Sequence, residues 1–123
     1  MKLSEFDFRV WNNNSKTYEA GSIIESLGFI TSVFNQLTYE KPTIDYEIEL
    51  FTGLYDNNNN KIYEGDIISI YVSGDFINYT VVYNKDKASF VAIVDDYEED
   101  FTCYSDIEVI GNIHENEEIL KDI

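Results

Sequence analysis

The sequence predicts an α+β domain that is mainly β: an antiparallel meander curled into a small barrel, with a helical segment near residues 23–39 and a short C-terminal helix. Three observations carry this expectation. Apolar and polar residues alternate in short runs, the period that buries one face of a strand. Those runs are rich in β-branched and aromatic residues, which favour a pleated surface. The gaps between them are short and hold Asn, Asp, Gly or Lys, as turns joining neighbouring strands do.

The elements follow in order. Phe6, Phe8 and Val10 alternate with Asp7 and Arg9 as a first strand, and Thr17–Tyr18 returns after the turn Asn12–Asn13–Asn14. Ile23, Ile24, Leu27, Ile30, Val33, Phe34 and Leu37 have helical spacing, although Gly28 and the pair Ile30–Thr31 lower helix propensity. Ile44, Tyr46, Ile48 and Leu50 alternate with Asp45, Glu47 and Glu49 as a two-faced strand. After a turn at Asn57 to Asn60, the runs Ile67–Val72, Ile77–Tyr83, Ser89–Val94 and Ile107–Ile113 complete the meander. Asn116 suits the cap of a terminal helix with Glu117 and Glu118 in its first turn, held down by Ile119, Leu120 and Ile123. A chain of 123 residues fits one domain, with residues 1–50 and 51–123 as sub-parts.

Charge narrows the function. Against 24 Asp and Glu stand 8 Lys and Arg, a net charge of -16. Such a surface argues against direct contact with nucleic acid phosphates or an anionic membrane. No run approaches the roughly 18 apolar residues of a membrane helix. The opening MKLSEFDFRVW scatters charges among its apolar residues, unlike a signal peptide. A lone Cys103 excludes an internal disulfide and suits a reducing compartment, so a cytoplasmic protein is expected.

Candidate chemistry is sparse. A single His114 excludes a multi-histidine metal site. Asp56-X-Asn58-X-Asn60 matches the start of a calcium loop, but Lys61 stands at the sixth position and Ile67 at the twelfth, so a turn is expected and no metal. Cys103 and His114 lie in no nucleophile context. No enzyme, no catalytic residue and no cofactor is expected.

The acidic run Asp95, Asp96, Tyr97, Glu98, Glu99 and Asp100, followed by Phe101, is the candidate partner-binding segment. It is expected on a loop between strands, with Tyr97 and Phe101 as apolar anchors. Asp106, Glu108, Glu115, Glu117 and Glu118 would extend the charge. Carboxylates on adjacent strands, spaced roughly 6.6 Å along each face, would then imitate the phosphate ladder of a duplex.

Three stretches carry a family resemblance: FRVWNNNSKTY from Phe8 to Tyr18, LFTGLYDNNNNKIYEGDIISI from Leu50 to Ile70, and IEVIGNIHENEEIL from Ile107 to Leu120. Their order and spacing resemble the YopX family of small phage and prophage proteins of Gram-positive hosts. The chain departs from the family pattern where a glycine is usual within Asn57 to Asn60, and where proline is common at Glu117. Residues 19–45 and 95–106 carry no resemblance. Within the shared motifs, Gly53 reads as a residue with an unusual backbone angle, Gly65–Asp66 as a tight turn, and Trp11, Tyr63 and Ile67 as core or barrel-mouth residues. The resemblance implies a mostly β fold and a homo-oligomer, and transfers no catalytic residue.

Together these readings lead to an expected function. The chain is a non-enzymatic phage accessory protein whose acidic surface blocks a host protein with a basic, nucleic-acid-handling surface, by nucleic-acid mimicry. The alternatives are an oligomeric barrel that sequesters a small molecule such as a nucleotide immune signal, or a purely structural homo-oligomer. A phosphorylated ligand would require Arg9, Lys61, Lys85 or Lys87 to converge.

Overall fold

Strand-forming runs separated by side-chain-capped turns dominate the computed structural model, which describes Lys2, residues 5–19 and residues 45–121. The helical expectation at 23–39 lies outside the described residues. The chain divides into two units, residues 1–51 and 52–123.

In the first unit, β1 (Phe8–Asn12) pairs antiparallel with β2 (Thr17–Tyr18) and with the opening of β3 (Tyr46–Tyr55). The alternation expected for β3 is present, but its buried residue is Glu49, 4% exposed, whereas Ile48 is 51% exposed. The reason is the residue opposite. Arg9 is in register with Glu49, and its Nε donates to Glu49 Oε1 at 2.7 Å. The Tyr18 hydroxyl donates to the same oxygen at 2.9 Å. The Arg9 guanidinium also lies 4.9 Å above the Tyr18 ring, and the Trp11 ring meets that ring at 70° with centroids 4.9 Å apart. A buried carboxylate is tolerable when charged and hydrogen-bonded partners surround it. The Arg-X-Trp opening and its distant Tyr are therefore one packed cluster around Glu49.

The second unit contains β4 (Lys61–Tyr63), which lies beside β3, and a five-stranded antiparallel sheet ordered β8-β7-β6-β5-β9. Its strands are β5 (Asp66–Val72), β6 (Asp75–Asn84), β7 (Ser89–Val94), β8 (Tyr97–Glu99) and β9 (Ile107–Asn112). The meander curls into an open half-barrel whose edges are β8 and β9. Ile68, Ile70, Tyr79, Val81, Ala92 and Ile107 line one face, and Ile62 and Phe101 close over them. Phe101 is fully buried. Trp11 and Ile67 are buried too, while Tyr63 is half-buried.

With only six glycines and one proline, the turns rest on Asn and Asp side chains. Asn12 Oδ1 accepts from the N–H groups of Asn14 and Ser15, Asn84 Oδ1 from Asp86 and Lys87, and Asn112 Oδ1 from His114 and Glu115. Each carboxamide supplies the acceptor that a bending chain needs two and three residues later. Glycine appears where the backbone itself demands it. Gly53 and Gly65 both have φ of +88°, and the N–H of Tyr63 donates to Asp66 Oδ2 across the Gly65 turn at 2.8 Å.

Asp56 organises the turn read as a poor calcium match. Its Oδ1 accepts from the N–H groups of Asn58 and Asn60, and its Oδ2 from Asn60 Nδ2 and the Val109 N–H. The two oxygens are thus taken up by donors of the turn and of β9. Burial pushes this carboxyl up, but the N–H groups of Val109, Asn60 and Asn58 and the Asn60 carboxamide outweigh it, and the pKa falls below the usual aspartate value. A lowered folded-state pKa contributes stability above the unfolded value of about 3.9 and loses it as pH falls through the folded value. Asp56→Asn turns an NH2 group toward these donors, so it should destabilise by about 1–3 kcal/mol at neutral pH. The deficit should shrink toward about pH 2. Urea unfolding of both proteins across pH checks this, and a deficit independent of pH would refute it.

The chain closes with α1 (Glu117–Lys121), which carries Glu117 and Glu118 in its first turn. Asn116 precedes it as expected, but its side-chain oxygen turns back to accept from the Asn112 N–H at 3.1 Å. A Cβ on Gly111 would come within 2.6 Å of the Asn116 carboxamide carbon and 2.8 Å of its Cβ. Gly111→Ala should therefore expel Asn116 and cost about 2–3 kcal/mol. Thermal unfolding tests this, and a loss under about 0.5 kcal/mol would refute it.

Candidate functional site

The acidic run forms a hairpin rather than a loop. β7 and β8 pair through Val94↔Tyr97, Ile93↔Glu98 and Ala92↔Glu99, with Asp95 and Asp96 as the two-residue turn. Asp95 takes a positive φ of 52°, which aspartate tolerates better than most residues. This places five carboxylates on an open sheet edge.

Their roles differ. Asp95 and Asp96 stand exposed at the tip, and Tyr97 beside them is 60% exposed. The Tyr97 hydroxyl hydrogen-bonds to the Glu99 carboxylate, which pushes the phenol pKa up. Glu98 accepts from Asn84 Nδ2 at 2.7 Å and from Lys87 Nζ. The Lys87 ammonium and the Asn84 amide hold its carboxyl below the usual glutamate value. Asp100 Oδ1 accepts from the Thr102 hydroxyl and N–H, capping a 3-10 turn at Phe101–Cys103, and these bonds lower its pKa as well. Glu98 and Asp100 are thus ionised at neutral pH while also fastening the hairpin.

Two expectations need correction. Phe101 cannot anchor a partner, because the 3-10 turn after β8 drives its ring into the core, where it is fully buried. The carboxylate ladder on adjacent strands does not form either. Asp106 and Glu108 sit at or just before β9, the opposite edge of the sheet, with β7, β6 and β5 in between. Asp106 accepts there from Asn57 Nδ2, and Glu108 pairs with Ser69. A meander places sequence neighbours side by side, but β9 crosses back to β5.

What the fold does bring to the hairpin is α1. Leu120 and Asp95 line one groove of about 240 Å³, together with Thr80, Val82 and Ile93. The exposed Glu117 and Glu118 lie within a turn of Leu120 on that helix. Glu115 is engaged by Asn112 Nδ2 at 2.9 Å. The hairpin also borders a larger groove, about 470 Å³, whose lining includes Leu54, Phe90, Val91, Lys87, Glu98 and Asp100.

The sequence reading missed Lys87 and Asn84 as hairpin partners. No local signal could have found them, because the contact follows from β8 folding back onto β7, which is a tertiary pairing. Among the cations named for a phosphate site, Arg9 is paired with Glu49 and Lys87 with Glu98. No described helix is long and apolar enough to cross a membrane.

Comparison with known proteins agrees with the motifs. The model of the family described as YopX protein matches residues 7–121. Among solved structures, the crystal structure of protein EF1440 from Enterococcus faecalis is similar at 24% identity and a TM-score of 0.49. The similarity covers 93% of this chain and 75% of that one. No curated protein matches this chain.

Proposed function

The chain belongs to the YopX family, and from that premise we propose that it is a non-enzymatic phage accessory protein acting in the cytoplasm of a bacterial host. Its acidic surface captures a host protein through that protein's basic, nucleic-acid-handling surface and blocks it. The observation that supports this reading is the β7–β8 hairpin, which presents Asp95 and Asp96 around an exposed Tyr97 and shares a groove with α1. A net charge of -16 steers a cationic partner from a distance. Tyr97 supplies the amphipathic ring that interfaces favour.

The competing reading, sequestration of a phosphorylated signal, is disfavoured by the larger groove, where the lining residues Glu98 and Asp100 repel phosphate. Self-association belongs to the proposal. In the first unit Phe6, Ile48 and Leu50 are exposed apolar side chains suited to contact a second copy. Sedimentation should show an oligomer, and a monomer at every concentration would refute that part.

Affinity capture from host lysate tests the main claim. A nucleic-acid-handling protein should bind at low salt and wash off at high salt. Asp95→Asn with Asp96→Lys should weaken that capture about tenfold or more, since asparagine keeps the positive-φ turn at position 95 while both charges are removed. Undiminished capture by the double variant would overturn the proposal.

A further inference from the structure

The groove beside the hairpin is lined by apolar and by anionic side chains, a combination that fits one kind of side chain. Leu54, Phe90 and Val91 supply apolar lining, and Glu98 and Asp100 supply two carboxylates. Resting on the acidic-surface reading above, we propose that this groove seats an arginine or lysine side chain of the basic partner protein. Its aliphatic stem lies along Leu54, Phe90 and Val91, and its charged head bridges Glu98 and Asp100.

Charge complementarity is the first support. Two carboxylates and one ammonium line the groove, so it stays net negative within a strongly negative molecule. Size is the second. At about 470 Å³ the groove falls within the range of small-ligand sites, roughly 300–1,000 Å³. It holds a long side chain and leaves room for the backbone on either side. The third support is Lys87. Its side chain is 62% exposed, yet its ammonium rests on Glu98 and its pKa is raised by that contact. The free protein therefore keeps its own cation where the partner's would go. An exposed ion pair contributes little, so Lys87 yields readily. A guanidinium that engages two carboxylates by paired hydrogen bonds is the stronger occupant.

The test is an amide NMR titration at low salt with a capped Ala-Ala-Arg-Ala-Ala peptide, beside the same peptide carrying neutral citrulline. The arginine peptide should move the amides of Leu54, Ser89 to Val91 and Glu98 to Thr102, with citrulline about tenfold weaker. Ser89→Trp, which fills the groove from an exposed position, should abolish the response. Lys87→Gln, which removes the incumbent cation, should tighten binding about threefold. Equal response to citrulline, or binding unchanged by both variants, would overturn the proposal. Shifts confined to Asp95 to Tyr97 would overturn the groove while leaving the acidic-surface reading standing. Loss of lysate capture in the Asp95 and Asp96 double variant, with Ser89→Trp still capturing normally, would separate the two in the same direction.

Discussion

Phe101→Ala is expected to lower the unfolding free energy by about 3–5 kcal/mol. Its ring is fully buried among Ile62, Ile68, Tyr79, Val81 and Ala92, where the 3-10 turn after β8 places it. Truncation removes the packing of an aromatic ring and leaves a cavity that the sheet can only partly close. Domains of this size have about 5–15 kcal/mol in total, so the variant should be partly unfolded at growth temperature. Urea titration followed by far-ultraviolet circular dichroism measures the loss. A change under about 1 kcal/mol would mean that Phe101 is exposed after all. Tyr97→Ala is the matching contrast. It should change stability by less than about 0.5 kcal/mol while weakening partner capture, because Tyr97 is exposed where Phe101 is not.

Glu49→Ala should cost about 3 kcal/mol or more. It removes the carboxylate that accepts from both Arg9 and Tyr18, inside a strand pairing where Glu49 is nearly inaccessible. The guanidinium would then lose its counter-charge in a place that water reaches poorly. Glu49→Gln keeps the shape and one acceptor oxygen but not the charge, and should cost less, about 1–2 kcal/mol. Equilibrium unfolding of the three proteins orders them, and an alanine variant as stable as the parent would refute the cluster's role.

The β content was open to reading because period-two alternation is local. Thr17–Tyr18 and Ser89–Val94 emerge at their expected boundaries, since their turns are built from Asn side chains that announce themselves in the chain. The sense of burial was less open. In β3 the period correctly marks two faces, yet a charged residue occupies the inner one, because Arg9 lies some 40 positions away and its register with Glu49 is a tertiary fact. The acidic run was legible as a feature and misread as a loop. Its alternation is hidden by charge, since Glu98 meets Lys87 and Glu99 meets Tyr104 across short pairings no period reveals.

By itself the sequence determined the strand-rich class, the Asx-capped turns, the family motifs and the overwhelming negative charge. All of these depend on residues within a few positions of one another or on composition summed over the chain. Tertiary structure alone decided that Phe101 is core, that β9 lies at the edge opposite the acidic hairpin, and that α1 and the hairpin share a groove. Those outcomes depend on which strand pairs with which. Pairing is set by the free energy of burying a whole face at once, and no single segment encodes it.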